Sequence, residues 1–264
     1  RNLMVILKRV LLTTLAIKVI LIFLLLGVNK THSAVEKIEL IKQNCPFNGI
    51  FGRFDKSSLQ RGYLVYKEVC ASCHGLKHVS YRDLTGIGLT RDEIKSIAGE
   101  YFVMDGPNDE GEMFEREAKL SDKFVNPYEN DNQARLANNG AYPPDLSRMV
   151  KARSGGADYL FSLLNGYKDF PEGFEASEGM YYNEYYPGKQ IAMPSPIMDD
   201  IVEYNDGTDA THVQIARDVT SFLAWTAEPE LEERKSLGVK TLFFLILLTI
   251  MLLGVQRKVW KDVN

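Results

Sequence analysis

Residues 55–78 read DKSSLQRGYLVYKEVCASCHGLKH, a stretch that joins a helical pattern to a C-A-S-C-H motif. Three residues at its start favour a helix N-cap: Asp55, Ser57 and Ser58. Side chains that would share one face of a helix then follow at Leu59, Tyr63, Tyr66 and Cys70. The pattern predicts a helix that leads directly into the motif and places its two cysteines on the same side of a turn.

The C-A-S-C-H motif is typical of covalent haem c attachment. Two thiols at this spacing can each form a thioether with one vinyl group of a haem, and the histidine that follows can ligate the iron. We therefore predict one covalently bound haem c on Cys70 and Cys73, with His74 as the proximal ligand. A zinc site would need a second pair of ligands, and Cys45 and the remaining histidines have no paired spacing. A thioredoxin-like site would need a strand before the motif and gives no role to His74.

An electron-transfer haem needs a second axial ligand, and a methionine thioether raises the reduction potential. Residues 190–198 read QIAMPSPIM, in which Pro194 and Pro196 favour a rigid, extended loop around Met193. Met193 is therefore the predicted second ligand, and Met198 is its rival in the same loop. The other candidates are Met104, Met113, Met149, Met180 and His212, whereas His78 is too close to His74 to reach the opposite haem face.

Both ends of the chain are apolar and basic. Residues 1–33 have the order of a secretory signal peptide, with a basic start, an apolar stretch and then small residues. The alternative for them is an uncleaved N-terminal anchor. Residues 237–255 form a near-continuous apolar run that suits one membrane span. We expect a signal peptide over 1–33, an exported domain over 34–233, a transmembrane anchor over 234–256 and a short tail over 257–264.

The tail carries Arg257, Lys258 and Lys261, so the positive-inside rule places it in the cytoplasm or its topological equivalent. The domain before the anchor then lies on the export side, which agrees with the predicted signal peptide. The expected location is the bacterial inner membrane, with the exported domain in the periplasm. The alternative is the mitochondrial inner membrane, with the domain in the intermembrane space.

The exported domain is strongly acidic, although the whole chain has a formal net charge of only −4. Residues 35–233 contain 20 Lys and Arg against 34 Asp and Glu, a net charge of −14. The acids are densest over 105–117 and 172–184. Because nucleic acid phosphates would repel such a domain, nucleic acid is excluded as a natural partner. The same charge would steer a basic soluble protein toward the domain.

A second amphipathic helix is predicted over 210–227, immediately before the membrane segment. Its apolar face comprises Val213, Ala216, Val219, Phe222, Leu223 and Trp225. In c-type cytochrome domains the helix before the haem motif packs across the last helix. Gly62 would permit that close crossing, against Phe222 or Trp225.

Other motifs accompany the haem motif: DGPNDEGEMF (105–114), NNGAYPPDLS (138–147), KARSGGADYLFSLLNGY (151–167), YYPGKQIAMPSPI (185–197) and FLAWTAEPE (222–230). With them, residues 47–261 resemble the cytochrome c1 family, the haem subunits of the quinol–cytochrome c oxidoreductase (bc1) complex. The resemblance implies a mainly α fold, in which a class I cytochrome c-like haem domain with loop insertions precedes one C-terminal transmembrane helix.

The resemblance also implies roles for individual residues. His74 and Met193 would ligate the iron. Further residues would bind the haem, by packing at Asn138, Pro143 and Pro144 and near the propionates at Arg153 and Tyr159. A guanidinium can pair a propionate bidentately, and a buried tyrosine hydroxyl needs a polar partner.

The implied function is electron transport in the respiratory chain, with no bond chemistry in this subunit itself. It would take one electron from the Rieske iron–sulfur protein, after quinol oxidation on cytochrome b, and pass it to a basic cytochrome c. The complex would be dimeric and embedded in membrane lipid. Two other functions stay open: an independent membrane-anchored cytochrome shuttle, which would need a smaller domain, and a haem enzyme such as a peroxidase, which would need an open iron site.

Overall fold

The structure is a computed structural model that describes residues 38–261 and is mostly helical. The signal peptide expected over 1–33 lies outside the described residues. The α-helices are α1 (Lys56–Glu68), α2 (Arg91–Gly99), α3 (Asp131–Ala137), α4 (Met149–Ala152), α5 (Gly156–Asn165), α6 (His212–Ala227) and α7 (Leu231–Trp260). Two 3-10 helices span Cys70–Ser72 and Tyr81–Ile87. The strands form two small antiparallel pairs, β1 (Phe102–Asp105) with β2 (Phe114–Glu117) and β3 (Tyr181–Tyr182) with β4 (Gln190–Ile191).

Helix α1 begins as the sequence predicts but ends before the haem motif. Asp55 is the N-cap, and its side chain accepts a hydrogen bond from the backbone N–H of Ser58 at 3.1 Å. The helix leads directly into the motif as predicted, but its α-helical geometry ends at Glu68, because Val69, at φ −113°, is the C-cap. The cysteines lie instead on the separate 3-10 turn Cys70–Ser72, which is closed by a 3.1 Å bond from Cys73 N to Cys70 O.

Helices α1 and α6 form the centre of the domain, and they cross at Gly62. A Cβ atom at this position would lie 2.1 Å from the carbonyl oxygen of Asp218 and 2.7 Å from Phe222 Cβ. The predicted close approach of Gly62 to Phe222 is therefore confirmed. Trp225 packs elsewhere, since a Cβ atom at Gly86 would lie 2.9 Å from its indole ring.

A buried carboxylate ties the same two helices together. Asp218 on α6 is fully buried and accepts a 2.6 Å hydrogen bond from Ser58 Oγ and a 2.8 Å bond from Arg61 Nε. Arg61 also pairs with Asp206 at 2.7 Å, and these two partners raise the pKa of its guanidinium further. Because a buried charge is tolerated only when it is paired and hydrogen-bonded, this network sets the register of the crossing.

Helix α6 begins two residues later than predicted. Thr211 is its N-cap and accepts a bond from the backbone N–H of Gln214 at 3.3 Å. Val213, which the sequence places on the apolar face, is 48% exposed because it lies in the first turn, before the helix enters the core at Ile215.

Helix α7 follows α6 after residues 228–230 alone. Within residues 38–261 it is the one helix that is long and apolar enough to cross a membrane. Its side chains from Leu237 onward are nearly all exposed, as expected for a lipid-facing segment. The described chain is thus mainly α, with short strands in its insertions and one long apolar helix at its C-terminal end, which confirms the predicted fold class.

Candidate functional site

The cysteine turn presents two free thiols at the end of α1. Cys70 and Cys73 are partly buried, and the Ser72 hydroxyl donates a 2.9 Å bond to the carbonyl oxygen of Val69 at the start of the turn. Burial, with a smaller contribution from Cys73, raises the pKa of the Cys70 thiol to about 12.

The imidazole of His74 is oriented by a distant backbone carbonyl. Its Nδ1 lies 2.7 Å from the carbonyl oxygen of Pro144. Because a carbonyl oxygen can only accept, Nδ1 carries the proton and Nε2 is left as the nitrogen with a free lone pair. Burial lowers the pKa of His74, which favours the neutral ring that a metal ligand requires. The geometry therefore prepares Nε2 for a metal centre.

Residues 144–147 form a frame around the residues that follow His74. The N–H of Leu146 donates to the carbonyl oxygen of Gly75 at 2.9 Å, and the N–H of Lys77 donates to Asp145 Oδ2 at 2.8 Å. Sequence reasoning missed this role of Asp145, although the residue lies inside the NNGAYPPDLS motif. The frame holds the Pro144 carbonyl in place against His74.

A second missed residue acts from the other side of the turn. The Tyr66 hydroxyl donates a 3.0 Å bond to the carbonyl oxygen of His74. Tyr66 is almost fully buried in α1 and packs against Phe222, with ring centroids 5.9 Å apart and the ring planes tilted by 36°. The backbone of His74 is thereby fixed to the crossing of α1 and α6. The helical spacing indicated a core tyrosine here, but not the partner of its hydroxyl.

The Met193 loop has no regular structure around the methionine but is held at both sides. Ile191, at the end of β4, and Ile197 are buried, and Met193 itself is partly buried against the core. The Tyr167 hydroxyl donates a 3.1 Å bond to the carbonyl oxygen of Met193. Tyr167 was missed, and its only sequence signal was its place in the KARSGGADYLFSLLNGY motif.

The other candidate ligands differ from Met193 in burial or bonding. Met104, Met113, Met180 and Met198 are exposed by 63%, 57%, 38% and 61%, and Met149 is buried in α4. The Nε2 atom of His212 is already hydrogen-bonded, because it lies 3.0 Å from the carbonyl oxygen of Leu164.

The predicted haem-packing residues lie near one another in the chain but make different contacts. Asn138 ends α3, and its Nδ2 donates to the carbonyl oxygen of Ala134 at 2.7 Å and to the Tyr128 hydroxyl at 3.0 Å. Pro143 is partly buried, whereas Pro144 is exposed and supplies the carbonyl that binds His74. Among residues 38–261, no hydrogen bond joins Asn138 to the cysteine turn.

The two predicted propionate residues differ in burial. Tyr159 is buried in α5, and Arg153 is exposed at the end of α4. Burial raises the pKa of Tyr159, and the charge of Arg153 acts on it in the opposite direction. A guanidinium and a tyrosine hydroxyl are both groups that can donate hydrogen bonds to a carboxylate.

The donor set fits a covalent haem better than a bare metal ion. In the part of the chain that the structure describes, no three His, Cys, Asp or Glu side chains converge as metal ligands. The motif also follows an α-helix and not a strand, so the thioredoxin-like alternative is wrong. Two free thiols on one turn, an imidazole with a free Nε2 and a thioether on a supported loop are the groups that a haem c requires.

Comparison with known proteins identifies the family. The model of the Cytochrome C1 family matches residues 45–263. The chain is 52% identical to a mitochondrial cytochrome c1 heme protein of Arabidopsis thaliana, over 82% of this chain and 70% of that protein. The chain belongs to the cytochrome c1 family.

Two further members of the cytochrome c1 family show its range. The chain is 47% identical to the cytochrome c1 of Rhodospirillum rubrum, over 86% of this chain and 89% of that protein. It is 49% identical to a mitochondrial protein of Candida albicans named as the catalytic subunit of the cytochrome b-c1 complex, over 84% of this chain and 77% of that protein. Both bacterial and mitochondrial relatives therefore exist.

Cytochrome c1 proteins are the haem electron-transfer subunits of the bc1 complex and carry one covalently bound haem c. Family membership therefore confirms the function and the cofactor that the sequence predicts. One long apolar helix also agrees with anchoring in a membrane.

Proposed function

We propose that the chain works inside a membrane-embedded, dimeric bc1 complex with cytochrome b and the Rieske iron–sulfur protein. It takes one electron from the Rieske protein and delivers it to a basic cytochrome c. The observation that carries the proposal is the haem-attachment turn, in which two free thiols adjoin an imidazole that Pro144 orients through Nδ1. A bound haem c supplies reversible one-electron chemistry at its iron.

The protein's own residues hold and orient that group. Cys70 and Cys73 would form the thioether bonds, and His74 and Met193, on separate parts of the chain, would ligate the iron. The bond from Pro144 keeps the imidazole in one tautomer, and the bond from Tyr167 holds the backbone of Met193. Such outer contacts fix ligand orientation and tune the electronic properties of a metal centre.

The remaining predicted residues shape the pocket. Asn138, Pro143 and Pro144 would pack against the ring, and Arg153 and Tyr159 would bind the propionates.

The junction between the domain and α7 supports a fixed subunit over a mobile shuttle. Glu228 pairs with Lys151 and Arg234, and the backbone N–H of Phe54 donates to Glu232 Oε1 at 3.0 Å. The Lys235 ammonium donates to the carbonyl oxygen of Phe47 at 2.6 Å. A shuttle would need a flexible tether to travel between partners, whereas these contacts hold the domain firmly on its anchor.

Exposed carboxylates support a basic electron acceptor. Asp109, Glu110 and Glu112 are exposed in the loop between β1 and β2, and Glu172 and Glu175 are exposed in the second acidic segment. Charges of one sign on a surface speed the encounter with a partner of opposite charge, and salt weakens the effect.

We propose that the chain is cleaved after residue 33, that residues 34–233 form the haem domain outside the bilayer and that 234–256 form the span. The basic tail, 257–264, then faces the cytoplasm of a bacterium and the haem domain faces the periplasm. The alternative is the mitochondrial inner membrane, with the domain in the intermembrane space. Alkaline phosphatase fused after residue 233 should be active in a bacterial host, and the same fusion after residue 264 should be inactive.

Purification in mild detergent tests membership of the complex. We expect cytochrome b and a Rieske protein to co-purify with the chain, at a mass that corresponds to a dimer. A chain that purifies alone with its haem would support the shuttle instead. Rapid binding of carbon monoxide to the reduced haem would support the open iron site of a haem enzyme.

Salt dependence tests the acceptor. Turnover with a basic cytochrome c should fall as ionic strength rises, and a flat response would contradict electrostatic steering. Two matched triple variants separate the acidic segments: Asp109→Asn with Glu110→Gln and Glu112→Gln, and Glu172→Gln with Glu175→Gln and Glu178→Gln. The triple variant that removes the charges of the docking side should lose more of the salt dependence of turnover than the other variant does.

A further inference from the structure

A short loop beside the anchor exposes two large apolar side chains. In this loop, residues 46–53, Ile50 is 68% exposed and Phe51 is 83% exposed. Removal of such large apolar side chains from water is favourable, so their exposure calls for a covering surface. Phe47 in the loop and Phe54 directly after it are buried in the core, whereas Ile50 and Phe51 are exposed.

The loop is well defined and not an open tail. The N–H of Arg53 donates to the carbonyl oxygen of Pro46 at 3.1 Å, which closes its base. The rings of Phe47 and Phe54 pack inside that base, with centroids 4.9 Å apart. Ile50 and Phe51 therefore occupy the tip of a closed loop whose base belongs to the core.

The first turns of α7 bind the base of this loop. The Lys235 ammonium donates to the carbonyl oxygens of Phe47 at 2.6 Å and of Gly52 at 3.2 Å. Lys235 precedes the apolar run, which begins at Leu237, by about 3 Å of helix rise. The loop base thus lies near the level at which α7 enters the hydrocarbon, and the interfacial layer beyond that level is on the order of 5–7 Å thick.

We propose that loop 46–53 is a second membrane contact, with Ile50 and Phe51 inserted among the lipid headgroups and upper acyl chains. The occupant is the lipid surface, because Lys235, two residues before the apolar run of α7, binds the base of the loop that carries the exposed pair. Aromatic and aliphatic side chains at this depth are stabilised by partial burial. Together with α7, the loop sets the height and tilt of the haem domain above the bilayer.

Spin labelling measures this contact directly. The haem-loaded full chain, carrying Phe51→Cys or Ile50→Cys with a nitroxide label, is placed in nanodiscs of phosphatidylcholine and phosphatidylglycerol. Accessibility to oxygen and to neutral nickel ethylenediaminediacetate is measured relative to the same sample without either reagent, which removes the contribution of the haem iron. Asp109→Cys, exposed in the loop between β1 and β2, is the matched control. Because Cys45 is buried, we expect little labelling of its thiol and therefore a small background signal.

We expect the ratio of oxygen to nickel accessibility at residues 50 and 51 to exceed that at residue 109 several-fold. Nickel accessibility equal to that of the control would place the loop in water and overturn the proposal. Low accessibility to both reagents would indicate that protein covers the loop and would overturn it too. Because two positions are tested, the loss of one variant to misfolding leaves the other to decide.

Discussion

The two segments that carry the proposed iron ligands are held in different ways. The cysteine turn is closed by bonds within its own few residues, from Cys73 N and His74 N to the carbonyl oxygen of Cys70. The Met193 loop has only a long local bond among its described residues, from Ser195 Oγ to the carbonyl oxygen of Ile197 at 3.4 Å, and depends mainly on Tyr167 and on two buried isoleucines. A locally closed turn can be recognised as a motif, whereas a loop supported from a distance needs the fold before its role is visible.

The largest effect is expected from the cysteine turn itself. Cys70→Ala or Cys73→Ala removes one of the two thioether bonds, because alanine has no sulfur to add to a vinyl group. The pyridine haemochrome band should shift, since one vinyl group remains conjugated with the ring. Cys45→Ala, outside the motif, is the control and should leave the band in place. An unshifted band in either motif variant would contradict the assignment.

Met193→Leu tests the other segment. Loss of the thioether should lower the reduction potential by on the order of 100 mV, within the roughly 0.8 V range that axial ligands set. It should also open the iron to carbon monoxide. The matched control is Met198→Leu, in the same loop but 61% exposed, which should change neither property. If Met198→Leu changed both properties and Met193→Leu changed neither, Met198 would be the ligand.

Gly62→Ala probes the helix crossing on which the cysteine turn rests. The new methyl group would meet the Asp218 carbonyl at 2.1 Å, so the helices must separate. Overpacking of this kind costs about 1–3 kcal/mol. Denaturant unfolding of the haem-loaded protein measures the loss. Gly238→Ala on α7, where nothing lies within 4 Å, serves as the control and should leave domain stability unchanged. Equal stability of both variants would argue against the tight crossing.

The smallest effect is expected for Tyr167→Phe, which removes only the hydroxyl that binds the Met193 carbonyl. The lost hydrogen bond is worth about 0.5–1.5 kcal/mol. We expect slightly lower stability and faster carbon monoxide binding, because the loop releases its methionine more often. Tyr181→Phe, at a 45% exposed position, controls for the loss of a tyrosine hydroxyl. If the two variants bind carbon monoxide at the same rate, the Tyr167 bond does not hold the loop.

Much of the architecture was predictable because its signals are local. The caps and apolar spacing identified α1, and the length of the apolar run identified the helix that could cross the membrane. The boundary errors arose where local geometry changes over one residue, as at Val69 after α1 and at Thr211 before α6. Neither change leaves a clear trace in hydrophobic periodicity.

The residues that hold the candidate ligands in place were harder to predict from the sequence. Asp145 and Tyr167 were visible only as members of motifs, since nothing in their spacing shows which backbone group they bind. The contact between loop 46–53 and Lys235 joins parts of the chain that are far apart in sequence. Such pairings depend on the packing of α1, α6 and α7.

By itself, the sequence determined the chemistry of the chain: a C-A-S-C-H motif that predicts one haem c, a methionine followed by two nearby prolines, an acidic domain and an apolar terminal segment. These are properties of residue type and short spacing. Tertiary structure alone decided how His74 is oriented, because its partner is a backbone carbonyl, that of Pro144, and every residue type has one. Which carbonyl meets the imidazole depends on how residues 144–147 fold back onto the turn, and that is a consequence of the whole packed core.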